Sequence, residues 1–260
     1  MILRSEAPGI ERGATGPETL RRMADVDHYN TWIYELIRPY VGRRVVEVGC
    51  GIGNMTGYFL PAELLLAFDL LPESADWVRE KFRGSDNLIV SQGDVCDEAF
   101  VSWAAGHRFD TVVSINMLEH VERDGLALAH MSLMLSEGGY LLLFVPAGSY
   151  LFGSLDVALG HHRRYARNDL AQLVSAAGLC VERVFYVNML GAAGWFLNSR
   201  ILRRQMLPKD QLAVFNLLAP LLRLIESRVP PPFGQSLLCV ARKPLRYVDR
   251  KEVMTEGLDG

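Results

Sequence analysis

The sequence predicts an α/β fold, a mostly parallel sheet with helices on both faces. Three observations carry this expectation. Short apolar runs alternate with helical segments from about residue 44 onward, the pattern of strands joined by helical crossovers. The first run, Val45-Val46-Glu47-Val48, leads straight into Gly49-Cys50-Gly51-Ile52-Gly53. Glycine has no Cβ and tolerates positive φ, so this stretch can turn sharply and let a ligand lie against its backbone. A second run, Leu64 to Phe68, ends in Asp69, twenty residues after Gly49. Together these describe a nucleotide crevice beyond the carboxyl ends of parallel strands.

The elements follow in order. Residues 1–17 hold Pro8, Gly9, Gly13, Gly16 and Pro17 and are expected to be a flexible N-terminus. A helix then leads into the core, with Trp32, Ile33, Leu36, Ile37 and Tyr40 at helical spacing. Strands are predicted at 44–48, 64–69, 87–91, 109–115 and 139–145. Helices are predicted near 54–60, 73–82, 97–104 and 122–135. Gly138-Gly139 reads as the turn between the last of these helices and the fifth strand. A helix over 167–177, capped beside Asn168-Asp169, precedes a sixth strand at 179–187. Ser236 to Ala241 is the last short apolar strand. The folded domain spans 18–243, and 244–260 are expected to form a loose tail.

Composition narrows the function. At 260 residues the chain fits one enlarged domain. Half its residues are apolar, enough for a sizeable core, and its formal net charge of −3 offers no basic excess for nucleic acid. Cys50, Cys96, Cys180 and Cys239 form no C-x-x-C pair and read as reduced thiols of a cytoplasmic protein. No signal peptide is evident, and no run nears the ~18 apolar residues that span a bilayer.

The crevice is specific about its ligand. A pyrophosphate-binding loop has a third glycine where this chain has Asn54, and here Glu47 precedes the glycines. A carboxylate there suits an ammonium group, not an anion. Asp69 can accept from both ribose hydroxyls. A ribose, an amino-acid ammonium and no pyrophosphate describe S-adenosylmethionine.

With EVGCGIG at 47–53, Asp69, Gln92-Gly93-Asp94-Val95, FDTVVSINMLEHV at 109–121 and LSEGGYLLLFVPA at 135–147, the chain resembles the class I S-adenosylmethionine-dependent methyltransferases. The motifs cover roughly residues 40–190. The resemblance implies a Rossmann-like, seven-stranded sheet whose last strand inserts antiparallel between the fifth and sixth. It also implies S-adenosylhomocysteine as product. By the same resemblance Glu47 and Gly49, Gly51 and Gly53 line the methionine portion, and Asp69 holds the ribose. Leu70 packs near the adenine, and Asp94 and Val95 meet its edge. Asn116 and Met117 offer main-chain contacts. Asp94 as a helix cap and Asn116 as a turn residue stay open as alternatives. Tyr29 could close over the cofactor and reach its carboxylate, whereas Trp32 lies on the apolar stripe and reads as core.

On the acceptor side stands Gly160-His161-His162-Arg163-Arg164-Tyr165, a string similar to one in a subset of bacterial small-molecule and glycan-associated methyltransferases. His161 has the intrinsic pKa of a base near neutrality. Arg164 could orient an anionic acceptor, and Tyr165 could donate a hydrogen bond. The competing reading is a structural latch, with Asp156 and Arg164 paired and His161 satisfied by backbone. His120, just after the fourth strand, is the second candidate base. No metal is expected, because Asp156, His161 and His162 fit no standard ligand spacing.

Two insertions, 146–166 and 188–235, supply lid and substrate walls. The second reads as two helices, about 191–204 and 210–227, mixing apolar residues with Arg200, Arg203 and Arg204. Four readings stay open for it: packing on the sheet edge, a lid over a hydrophobic acceptor, membrane docking, and a homodimer interface. The expected activity is methyl transfer to oxygen or nitrogen of a small or medium organic acceptor. The alternatives are a lipid-linked or glycan acceptor at a membrane surface, and a module that binds the cofactor without methyl transfer.

Overall fold

The computed structural model describes residues 15–24 and 26–245. The expected flexible segment up to Ala14, and the expected tail from residue 246, lie outside the described residues. Gly16 and Pro17, placed with the flexible segment from sequence, instead open a helix.

Two helices lead in, α1 (Gly16–Ala24) and α2 (Asp27–Ile37). The crossover pattern follows: β1 (Arg44–Val48), α3 (Thr56–Phe59), β2 (Leu64–Asp69), α4 (Pro72–Lys81), β3 (Leu88–Gln92), α5 (Glu98–Ala105), β4 (Phe109–Ile115), α6 (Asp124–Met134) and β5 (Leu135–Pro146). Then come α7 (Ser154–Leu159), α8 (Arg167–Ala176), β6 (Cys180–Val187), α9 (Met189–Phe196), a π-helical turn (Leu197–Ile201), α10 (Lys209–Glu226) and β7 (Ser236–Arg242).

The seven strands form one sheet in the order β3-β2-β1-β4-β5-β7-β6. β7 pairs antiparallel with both β5 and β6, and the other pairings are parallel. Side chains alternate across the sheet, so each strand feeds two cores. Val46, Leu66, Val112 and Leu141 pack with α5, α6 and α8 on one face. Val45, Leu65, Val113 and Leu142 pack with α2, Phe59 and Ala219 on the other. Trp32 is fully buried in that second core.

Three local readings are corrected. The glycine pair does not end a helix: α6 stops at Met134 and β5 starts at Leu135. Gly138, at φ +76°, and Gly139 lie where the β4–β5 register shifts between Phe109 and Thr111. A Cβ at Gly139 would fall 2.8 Å from the Asp110 carbonyl oxygen, so the two backbones meet there because that side chain is missing. Neither Asn168 nor Asp169 caps α8, whose N-cap is Ala166 with no side-chain bond. Asp94 does not cap α5 either. Asp97 does, accepting from the Ala99 N–H at 2.9 Å.

The 188–235 insertion folds back over the carboxyl edge of the sheet. The Asn216 side chain accepts from the His28 N–H at 3.0 Å and so satisfies one free donor at the start of α2. Arg22 of α1 donates to the Leu207 carbonyl at 2.8 Å. The lead-in helices and the insertion thus form one roof. Among the described residues, no helix is long and apolar enough to cross a membrane.

Candidate active site

A cavity of about 1260 Å³ lies under this roof, floored by the loops that leave β1 to β5. Its first half is built around the glycine turn. Gly49 has φ +77°, and a Cβ there would sit 2.3 Å from Met117 Cγ. Only glycine lets the loops after β1 and β4 approach so closely. Gly51 lines the cavity, but Gly53 does not. A Cβ on Gly53 would meet the Phe82 ring at 2.9 Å, so this glycine serves packing against α4 rather than direct contact with a ligand.

Glu47 is buried at the head of the turn and lines the cavity. The Thr56 hydroxyl donates to its Oε2 at 2.6 Å. Burial pushes its carboxyl up to about 8; the Thr56 hydrogen bond opposes this, the Asp69 charge adds to it and Lys81 opposes it. The group therefore holds its proton at neutral pH in the free protein.

Asp69 stands at the end of β2. Its Oδ2 accepts from the Gly51 N–H at 2.8 Å and its Oδ1 from the Leu71 N–H at 3.0 Å. These bonds fix the carboxylate at the cavity wall and leave each oxygen further acceptor capacity. Asp94 also lines the wall, its Oδ1 accepting from the Cys96 N–H at 2.7 Å. Val95 and Leu70 line the same end, Leu70 being 60% exposed. Trp77 of α4, not anticipated from sequence, stands beside them, 54% exposed. Its surroundings read as an ordinary amphipathic helix, so no local pattern marks it. Asn116 is held at φ +50°, with its N–H donating to the Phe144 carbonyl at 2.7 Å. Asn116 and Met117 both line the cavity.

Tyr29 differs from its expectation. It lines the cavity, yet its ring is buried against Trp32, Phe144 and Phe215. Burial pushes its hydroxyl up to about 12, and the group faces Ser236 and Asn188 at the β7 side.

The second half of the cavity has a polar corner built on Asp156, which is fully buried behind the lining, and apolar walls that include Leu207, Phe215 and Leu218. Asp156 Oδ1 accepts from Arg164 Nε at 2.6 Å and from His161 Nδ1 at 2.9 Å. Its Oδ2 accepts from the Gly153 N–H at 3.0 Å and the Trp195 indole at 3.1 Å. Burial alone would raise this carboxyl, but the His161 hydrogen bond and the Arg164 charge hold it below the usual carboxylate range. Arg164 also donates to the Ala147 carbonyl at 3.0 Å and stacks on Trp195, 4.6 Å from the ring centroid. The Asp156–Arg164 pair of the latch reading is present, but a carboxylate rather than backbone holds His161.

His161 and Arg164 line the cavity, as do His120 and Glu119. The two imidazoles meet edge to face, centroids 4.8 Å apart. Enclosure pushes His120 down, with the His161 and His162 charges adding to the effect. His120 is the more exposed of the two rings, and both face the cavity. Burial pushes the Glu119 carboxyl up to about 7. Glu119 was not singled out from sequence, because a glutamate after a strand reads as an exposed turn residue. Tyr165 is corrected: its hydroxyl donates to Asp124 Oδ2 at 3.1 Å and the Leu118 carbonyl at 3.3 Å, in the core outside the cavity lining.

Similarity to known proteins agrees with this architecture. The model of the methyltransferase-domain family matches residues 21–184. The chain is 26% identical over 198 residues to the tRNA N(3)-cytidine methyltransferase METTL2 of Danio rerio, covering 72% of this chain and 51% of that protein. It is 27% identical over 161 residues to the ubiquinone biosynthesis O-methyltransferase of Methylococcus capsulatus, covering 53% and 67%. The chain thus spans about half the length of the first of these relatives. Its fold matches that of a methyltransferase solved in complex with the Haloferax volcanii Trm112 methyltransferase activator, with TM-score 0.61, 19% identity and coverage of 91% of this chain and 98% of that one. The sheet order with its reversed β7, the glycine turn and the family match together make this chain a member of the class I S-adenosylmethionine-dependent methyltransferases.

Proposed function

We propose that this protein transfers the methyl group of S-adenosylmethionine to oxygen or nitrogen of a small or medium organic acceptor. One observation carries the reading. A single cavity joins a carboxylate-lined wall, with Glu47, Asp69 and Asp94, to a polar pocket of Glu119, His120 and His161. Its volume of about 1260 Å³ exceeds the ~300–1,000 Å³ of ordinary ligand pockets, which leaves room for two molecules.

The residues fit the methyl donor. Glu47 offers a buried acceptor for its ammonium, and Asp69 offers free lone pairs to ribose hydroxyls. The missing Cβ of Gly49 lets the Met117 side chain pack directly on the turn and line the cavity there. The donor supplies a methyl carbon already activated by a sulfonium. The protein's part is to hold the accepting atom in line and exclude water. His161 is the group we assign to the accepting atom. Arg164 is a positioning residue, committed to Asp156. The relative named for ubiquinone biosynthesis O-methylation supports oxygen as the accepting atom. The net charge of −3 gives no support to a tRNA acceptor. The four free cysteines suit a reducing, cytoplasmic setting.

A second reading rests on α10. Val214, Leu217, Leu221 and Leu224 recur at helical spacing and are 58%, 74%, 55% and 50% exposed. An exposed apolar stripe of this kind can lie in a membrane interface, bringing a lipid-linked acceptor to the cavity mouth. Arg200 and Arg204 are partly engaged, with the Phe152 carbonyl and Asn198 respectively, so the stripe rather than the arginines carries this reading.

One experiment separates the two. Purified protein is given methyl-labelled S-adenosylmethionine and a host-cell extract, which is then partitioned between water and organic solvent. Label in a small molecule, absent with His161→Ala, is the expected result. Label confined to lipid favours the membrane reading. In that case the protein should sediment with anionic vesicles, and Leu217→Glu with Leu221→Glu should reduce sedimentation several-fold. No transfer with any extract, despite cofactor binding, would favour the non-catalytic module.

A further inference from the structure

We propose that Glu119, His120 and His161 form a binding site for a first-row divalent metal ion of the zinc class, open to the acceptor half of the cavity. The site uses the same His161 that we assign to the accepting atom: with an ion bound, that ring acts as a ligand and the ion's open position meets the acceptor, and none of this depends on the methyl-donor reading.

The three residues come from two loops. Glu119 and His120 lie in the short 3-10 turn after β4, Leu118–His120. His161 follows α7. Each offers a donor atom, and these atoms all lie within 4.8 Å of one another. His161 Nε2 is 3.9 Å from Glu119 Oε1. A tetrahedral site with bonds near 2.1 Å needs donors about 3.4 Å apart, so the cluster must draw in by roughly an ångström.

The second observation is Glu119 itself. Its side chain is fully buried, and neither carboxylate oxygen has a hydrogen-bond partner. Burying an unbonded carboxyl group is costly, and native proteins rarely leave one unexplained. A cation between Glu119 and the imidazoles would remove the cost.

The third observation is the shell around the imidazoles. His161 Nδ1 faces Asp156 Oδ1 at 2.9 Å, which holds the ring with Nε2 toward Glu119. The His120 ring packs edge to face on His161, centroids 4.8 Å apart, which fixes its place beside the same carboxylate. Ligand histidines are held as His161 is, by a carboxylate or the main chain on the nitrogen away from the ion. The charge of Arg164 is matched by Asp156 at 2.6 Å, so it does not oppose a second cation.

The donor set points to the ion. Two imidazoles and one carboxylate suit zinc, cobalt or iron better than calcium or magnesium, which prefer oxygen. Three protein ligands also leave a position open. All three residues line the cavity, so that position faces the space where an acceptor lies. Water or an acceptor oxygen can occupy it. The spacing argument against a metal concerned Asp156, His161 and His162. The structure gathers a different trio, with Asp156 behind the ligands rather than among them.

The test uses the full chain, free of affinity-tag histidines and stripped with chelator, titrated with Co²⁺ by visible absorption and with Zn²⁺ by competition. One equivalent of Co²⁺ should bind with the bands of a four- or five-coordinate site, and Zn²⁺ should displace it. Glu119→Gln and His161→Ala should each weaken binding tenfold or more. Asp156→Asn should weaken it by about 10–100-fold, the scale of losing an outer-shell partner. His107→Ala, at a histidine elsewhere, should change nothing. S-adenosylhomocysteine binding, measured on every preparation, reports an intact cavity and reads the donor site separately. Absence of saturable Co²⁺ and Zn²⁺ binding by folded wild-type protein would overturn the proposal. So would one-equivalent binding that survives both Glu119→Gln and His161→Ala.

Discussion

Binding of S-adenosylhomocysteine at pH 7 is expected to release close to one proton, and Glu47→Gln is expected to abolish the release. The free protein holds Glu47 protonated up to about pH 8. In the proposed site the ligand's ammonium meets Glu47 and would stabilise the carboxylate, so the proton would leave as the ligand enters. Linkage then makes affinity rise about tenfold per pH unit below pH 8 and level off above it. Titration calorimetry in buffers of different ionisation enthalpy reads the proton count directly. Glu47→Gln keeps a side-chain amide near Thr56 but cannot ionise, so its weaker affinity should be flat over the same range. The stability of the free protein moves the opposite way. A carboxyl raised in the folded state from 4.5 to about 8 contributes stability below the lower value, and loses it as pH rises through the upper. Free wild-type protein should therefore melt at lower temperature at pH 9 than at pH 6, and Glu47→Gln should shrink that difference. Proton release unchanged by Glu47→Gln would mean that another group meets the ammonium.

Asp156→Ala is expected to be the most destabilising single substitution near the cavity. It strips partners from Arg164, His161, Trp195 and the Gly153 N–H at once. The largest share comes from Arg164, whose guanidinium is left buried with only carbonyl acceptors and the Trp195 face. Removing one member of a buried ion pair typically costs about 3–5 kcal/mol. For a domain of this size that corresponds to a fall in melting temperature of roughly 6–20 °C. Asp156→Leu combined with Arg164→Met should recover much of the loss, because the pair itself gives little net stability once both charges are gone. The double variant should still lack methyl transfer, since His161 has lost the group that orients it. A melting temperature unchanged by Asp156→Ala would show that Asp156 is not the buried anchor described.

What was legible in the sequence is what chain-local patterns encode. The run 45–48 feeding alternating glycines identifies β1 and its turn because both signals lie within nine residues. Asp69 is legible because the end of a strand is a fixed place in this fold. The place of Tyr165 is not legible, because sequence spacing cannot say which face of a loop a side chain takes, and here the ring turns into the α6 core. Gly53 looked like its neighbours Gly49 and Gly51, yet its freedom from a Cβ is used against Phe82. The polar pocket was the least legible part. Glu119 and His161 are far apart in sequence and meet only because α7 returns the chain to the end of β4. The four-bond environment of Asp156 draws on three separate segments, so no window of sequence contains it.

In the proposed mode of binding, the cavity at the carboxyl ends of β1 to β3 holds S-adenosylmethionine with Asp69 on its ribose. The direct measurement is the dissociation constant of S-adenosylhomocysteine at pH 8, for wild type and for Asp69→Ala, on samples with matched melting temperatures. Wild type should bind saturably and one to one, and the variant should lose about tenfold or more, the scale of losing a good pair of hydrogen bonds. Equal affinity for the two proteins would contradict this mode of binding.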